Sequence, residues 1–381
     1  VRDKKNLIIV KFKRLITSGW SLLGAFILLF GIAAIFIIKL SSWAISQYYQ
    51  FISQPRVFDV STTGQIGDTI GGTTAPFIAL FAGFLTFIAF WVQFKANIEV
   101  QNQFKIQQFE SQYFEMIRLH KENINEMKIT GYSYLMSTSY ETKNPEENKT
   151  ITKTQIERTI DGRKTFVSMV KELNACFSFC EDIGNRLGVP KDKILIIAYR
   201  IFFFGSFSSL IDYKEYDDFI VACREKLKEV RTIHKETFGG KKDFEINNNK
   251  VDLHIKYAPF TGHESRLAHY YRHLFSTVKF VVQKEKENLF TYKQARDYLK
   301  ILRAQMSNDE QILLYHNYIS GVGVDWEGKA NFFLSKYRML HNLPIDRVKH
   351  VEAPRKHFKQ KIIEINKISK SDPMFEWGDK D

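Results

Sequence analysis

From Phe84 to Met127 no Gly or Pro interrupts the chain, and within that stretch an apolar run turns into an amphipathic one. The apolar part, PFIALFAGFLTFIAFWVQF (Pro76 to Phe94), carries no charged residue. At 1.5 Å per residue it covers about 28 Å, close to the roughly 30 Å of a bilayer's hydrocarbon core. Its continuation places Asn102, Ile106, Phe109, Tyr113, Met116, His120, Ile124 and Met127 at three- and four-residue spacing, one stripe of a helix. The pattern predicts a span that leaves the membrane as one rod and meets a soluble domain.

A second apolar run, WSLLGAFILLFGIAAIFII (Trp20 to Ile38), precedes it, with Trp20 and Trp43 where interfacial aromatics belong. It is too long for an ordinary signal-peptide core and no A-x-A site follows, so it reads as an anchor. Residues 39–75 between the spans hold only Lys39 and Arg56 as basic residues. The tail 1–19 carries Arg2, Lys4, Lys5, Lys11, Lys13 and Arg14 against Asp3 alone. Lys/Arg-rich flanks stay cytoplasmic, so both termini are expected inside, with the connector on the far side of a bacterial inner membrane. Gly64, Gly67, Asp68, Gly71 and Gly72 in that connector read as a tight re-entry turn, because a phosphate loop would need Gly-Lys-Ser/Thr. Gly24 and Gly31 on one span, and Ala79 and Gly83 on the other, allow close helix contact in lipid, so self-association is expected.

The expected fold is all-α: a two-helix transmembrane hairpin (20–38 and 76–94), a long exit helix over 95–129 and a cytoplasmic helical domain. A polar linker at 130–154 would precede that domain at 155–343, and a basic tail would occupy 344–381. Ile156 to Leu187 reads as a helix stopped by Gly188-Val189-Pro190. Ile194 to Ile211 is apolar, but Arg200 interrupts it, so it reads as a buried core helix rather than a third span. The net charge of +13 suits contact with anionic lipid or with nucleic acid and does not choose between them. Cys176 and Cys180 lie four apart, but neither they nor Cys223 has His or acidic partners at zinc-finger spacing. They read as buried thiols, and neither a metal nor another cofactor is expected.

Thr261-Gly262-His263-Glu264 fits a capping box, opening a helix whose buried face is Leu267, Tyr270, Tyr271, Leu274, Val278 and Val281. Arg266, His269 and His273 lie within about 60° of one another on an adjoining stripe. Such a stripe suits hydrogen bonding at the core edge, an anionic partner such as RNA or DNA, or a nuclease with histidine as general base. Ser307 and Glu310 form a second capping pair, and Arg303 ends the preceding helix where a cation favours the carbonyl dipole. Arg303 joins Arg266, His269 and His273 as a candidate anion or partner contact.

The Gly64–Gly72 block, Pro76, the span ending at Gln93, and Phe109 to His120 (FESQYFEMIRLH) occur in one order. Gly262 to Phe275 (GHESRLAHYYRHLF) and Leu302 to Glu310 (LRAQMSNDE) follow. Together they resemble the phage abortive infection (AbiC-like) membrane proteins. The resemblance implies bacterial antiphage defence and no defined reaction, so an enzyme is not the expectation. The layout is also similar to two-span effectors encoded beside retron reverse transcriptases, which would make a reverse transcriptase with its RNA/DNA a partner. The expected function is an effector that, released from inhibition, damages the inner membrane and stops growth. A membrane-tethered nuclease and a non-enzymatic scaffold for a defence complex are the alternatives.

Overall fold

The structure, a computed structural model, describes residues 60–140, 149–236, 244–246, 249–368 and 372–379, with scattered positions between 28 and 53. The chain forms two compact units, Val1–Asn102 and Gln103–Asp381. Most of the first expected span, including Gly24, lies outside the described residues; Leu28, Gly31, Ile32, Ile35 and Phe36 within it are helical.

Helix α1 (Val60–Glu126) is continuous through the apolar run and ends one residue before Met127, as the absence of breakers predicts. It starts earlier than expected. Gly64, Gly67, Asp68, Gly71 and Gly72 are helical rather than a re-entry turn, and Pro76 sits inside the helix. A turn beside an apolar span leaves backbone amides without partners, whereas a helix satisfies them internally even at about 1 kcal/mol per glycine. Among the described residues α1 is the one helix long and apolar enough to cross a membrane, and none of its apolar window is buried.

The second unit is mainly helical with two antiparallel hairpins, not all-α. β1 (Lys128–Tyr140) and β2 (Lys149–Asp161) pair from Lys128 opposite Asp161 to Tyr140 opposite Lys149. This ribbon stands where a polar linker was expected. Thr150, Ile151, Thr152, Thr154, Ile156, Thr159 and Ile160 are β-branched, and such side chains favour a pleated strand over a helix. The following helix therefore begins at Lys164 instead of near Ile156.

That helix, α2 (Lys164–Leu187), is the centre of the unit and packs on α3 (Lys191–Phe204) and α4 (Asp217–Glu236). Cys176, Cys180 and Cys223 are free and buried in this layer. α3 is enclosed by protein at Ile194, Ile197, Ala198, Tyr199, Ile201 and Phe202, as expected of a core helix. A short hairpin, β3 (Phe244–Ile246) with β4 (Asn249–Val251), leads to α5 (Glu264–Lys286), α6 (Tyr292–Arg303) and α7 (Asn308–Ile319). Two further helices, α8 (Pro354–His357) and α9 (Lys359–Ile368), follow. They are not a solvated tail: Phe358, Ile362, Ile365, Met374 and Phe375 join the same core. Their apolar positions alternate with lysines, so charge hid an amphipathic face.

Candidate functional site

Helix α5 is placed by the turn before it. Phe260 and Gly262 have φ of 61° and 93°, and Gly262 lies against the backbone of α3's end. A Cβ on Gly262 would come within 2.7 Å of Gly205 N and of the Phe204 carbonyl. This close approach turns Thr261 away, so its hydroxyl points to the Ala258 carbonyl at 3.5 Å and the expected Thr261–Glu264 capping box does not form. His263 is the N-cap residue, and its side chain makes no cap bond. Its Nε2 is instead 2.8 Å from Glu172 Oε2, while Phe260 N–H donates to Glu172 Oε1 at 2.5 Å. One buried carboxylate on α2 thus fixes the entry to α5.

Along α5, Leu267, Tyr270, Tyr271, Leu274, Val278 and Val281 are buried. On the adjoining stripe, Arg266 Nε donates to the Lys128 carbonyl at 2.7 Å, tying α5 to β1. His273 Nε2 donates to the Met116 carbonyl at 2.9 Å, tying α5 to α1. His269 is exposed. The structure therefore does not bring the three side chains to a common ligand position. Arg303 lies apart from them and donates to the Arg338 carbonyl at 3.1 Å.

A polar cluster forms where the three sequence blocks meet. His120 of α1 stacks on His273 with ring centroids 6.0 Å apart and tilts against Tyr270 at 5.4 Å. Neither His120 nitrogen has a hydrogen-bond partner among the described residues. Burial, then the neighbouring His273 and Arg163 charges, pushes its pKa down to about 4, so the ring is neutral at pH 7. The Tyr270 hydroxyl donates to Glu310 Oε2 at 2.6 Å. Glu310 Oε1 accepts from Ser307 N at 3.1 Å and Oγ at 2.8 Å, completing the expected capping box of α7. Arg163 Nε lies 3.6 Å from the same oxygen. Burial pushes the Glu310 carboxyl up despite these donors.

A neutral imidazole, a phenol and a carboxyl of raised pKa are a proton-exchanging set, but here they are sealed. His120, Tyr270 and Glu310 are all buried, His273 and Ser307 are half-buried, and Arg163 is exposed. As it stands the cluster is a joint between α1, α5 and α7. His120 and Glu310 were visible in the sequence as a stripe residue and a cap; Arg163 was not, since it sits in a turn with no pattern of its own. No three His, Cys, Asp or Glu side chains among the described residues gather as a cation site.

Residues 262–348, which contain α5, α6 and α7, match the family model described as "Putative phage abortive infection protein". The resemblance read from the GHESRLAHYYRHLF and LRAQMSNDE blocks is found in that stretch. No curated protein and no solved structure matches the chain.

Proposed function

We propose that this chain is a membrane-anchored effector of phage abortive infection, restrained in its second unit and, once released, damaging the bacterial inner membrane. The defence assignment is supported by the match over residues 262–348. The membrane part is carried by one observation: α1 exposes Ile78, Leu80, Leu85, Phe87, Phe90 and Val92 within a single apolar helix. So large a continuous apolar surface is costly in water and favourable in lipid. Association of copies is the damaging step in this reading, with Gly31 and Gly83 as close-contact positions. A Cβ at either meets nothing within 4 Å, so a larger side chain fits the isolated chain and acts only between helices.

The test is induction of the chain, with and without its genetic neighbours, in cells carrying a membrane-potential dye. Depolarisation should precede any loss of nucleic acid, and Gly83→Leu should abolish toxicity at unchanged protein level. Growth arrest with an intact potential would refute the membrane reading. Nucleic-acid cleavage that precedes depolarisation and disappears in His269→Ala would put the nuclease alternative in its place. Arg266 and His273 are already committed to backbone carbonyls, which favours the membrane reading.

A further inference from the structure

Arg296 and Arg303 are seven residues apart on α6, two turns along one face. Arg338, with φ of 58°, joins them from the loop that follows α7. All three are more than nine-tenths buried, at 3%, 9% and 5% exposure. Part of their hydrogen bonding is internal bracing. Arg296 Nη1 donates to the Tyr337 carbonyl at 2.6 Å, and Arg303 Nη1 to that of Arg338 at 3.1 Å. Arg338 Nη1 donates to the Lys336 carbonyl at 2.5 Å and to the Tyr292 hydroxyl at 3.1 Å. The Nε of each arginine has no partner among the described residues.

Bracing does not account for the charge. One carboxylate touches the group: Asp372 lies 3.0 and 3.2 Å from Arg296 Nη2 and 3.7 Å from Arg338 Nη2. Glu376 acts on Arg303 from further away and is hydrogen-bonded to Asn342 at 2.7 Å. Asp372 thus contacts two of the three guanidiniums, and Arg303 is left with no carboxylate in contact. Burial, then repulsion from Arg296, pulls Arg303 down to about 10. Buried cations left unneutralised cost several kcal/mol each, so the arrangement favours an anion with more charge and more oxygens than a carboxylate. Guanidinium forks match phosphate oxygens in geometry.

We infer that Arg296, Arg303 and Arg338 form a binding site for a phosphate-class anion of charge −2 or more, which Asp372 fills in the chain without ligand and leaves when such an anion binds. The consequence reaches the segment that carries Asp372. Residues 372–379 are held at several points: Arg338 Nη2 donates to the Asp372 carbonyl at 3.2 Å, Asn342 Nδ2 to Glu376 Oε2 at 2.7 Å and Arg355 Nε to the Gly378 carbonyl at 3.2 Å. Glu376 N–H donates to the His341 carbonyl at 2.8 Å, and His341 Nδ1 to that of Met374 at 3.1 Å. Met374 and Phe375 are buried beside them. Replacing Asp372 removes one of these anchors, so ligand binding and loosening of the segment are one event.

The test uses the full chain in mild detergent, titrated with inorganic pyrophosphate at constant ionic strength set by chloride. Hydrogen exchange in residues 372–379 should rise saturably while α6 stays protected. Asp372→Asn removes the competing carboxylate, so pyrophosphate should bind it about tenfold more tightly and raise its melting temperature further. Arg303→Met should weaken binding by at least about tenfold, and Arg303→Lys, which keeps the charge and loses the fork, by less. Unchanged exchange in the wild type together with no pyrophosphate-dependent melting shift in Asp372→Asn would overturn the inference. So would equal binding by wild type and Arg303→Met; if that variant does not fold, Asp372→Asn and Arg303→Lys decide.

Discussion

The Tyr270 hydroxyl and the Glu310 carboxylate meet at 2.6 Å across 40 residues of sequence, both buried. The contact joins the GHESRLAHYYRHLF block to the LRAQMSNDE block, and Glu310 also closes the N-terminal cap of α7. The two blocks are therefore the two sides of one hydrogen bond. Tyr270→Phe leaves a buried carboxyl short of a donor and should cost about 1–3 kcal/mol in thermal or denaturant melting. Glu310→Ala removes the cap as well and should cost more. The double variant should fall short of the sum, because both changes cut the same bond.

Acid sensitivity should come in part from His120. Its folded pKa, about 4, lies below the ordinary 6.5, so the unfolded chain binds the proton more readily. The stability this contributes is complete above pH 6.5 and is lost as pH falls toward 4. Between pH 7 and pH 5 the loss should be roughly 2 kcal/mol. His120→Phe keeps a ring beside Tyr270 and His273 and removes the proton acceptor. Denaturant melts at the two pH values should therefore differ less for the variant than for the wild type. An equal difference would show that His120 is not the group responsible. Glu310, whose carboxyl is raised, acts in the opposite direction in both proteins and cancels from the comparison.

Two glycines with positive φ separate backbone conformation from close contact. Gly188 has φ of 70° and open space around it; Gly262 has φ of 93° and backbone within 2.7 Å of a built Cβ. Gly188→Ala should cost about 1–2 kcal/mol, the left-handed penalty alone. Gly262→Ala adds a collision with backbone that has no side chain to move aside, and the yield of folded chain in mild detergent or its cooperative melting should be lost. Similar melting of the two variants would mean that the turn before α5 relaxes freely.

Membrane partition of α1 can be titrated by charge. Leu85 lies mid-way along the apolar run and is exposed. Leu85→Arg should cost about 3 kcal/mol of insertion and move the chain from the membrane pellet toward the soluble or aggregated fraction. Lys105→Glu, beyond the apolar run, should leave the distribution unchanged.

The parts of the fold legible in the sequence are those with a helical period. Of the stripe that spacing alone defines, Phe109, Tyr113, His120, Ile124 and Met127 are buried, Ile106 and Met116 are half-buried, and Asn102 is exposed. The face of α5 is legible for the same reason, and the core setting of α3 from the charge of Arg200 within its apolar run. The β1–β2 ribbon was missed because its strands lack a clean apolar alternation, and its β-branched threonines are polar enough to read as loop. The Thr261 cap failed because a capping-box pattern carries no information about φ, and Gly262 redirects the chain there. Spacing put Arg266 and His273 near one another, yet each serves a carbonyl of a different element. Tertiary pairing of that kind has no local signature. The burial of Arg296, Arg303 and Arg338 around Asp372 was likewise invisible, since the residues come from three separate stretches.

The hydrogen bond between His273 and the Met116 carbonyl spans 157 residues. A ribosome adding about 5–20 residues per second needs on the order of 8 to 30 seconds to cross that interval. Throughout it, the stripe from Phe109 to Ile124 has been synthesised and its covering helix has not. Rather than folding as it emerges, the exit helix waits with an apolar face uncovered. That interval is when the nascent chain is most open to a chaperone, to misassociation with another nascent copy, or to proteolysis.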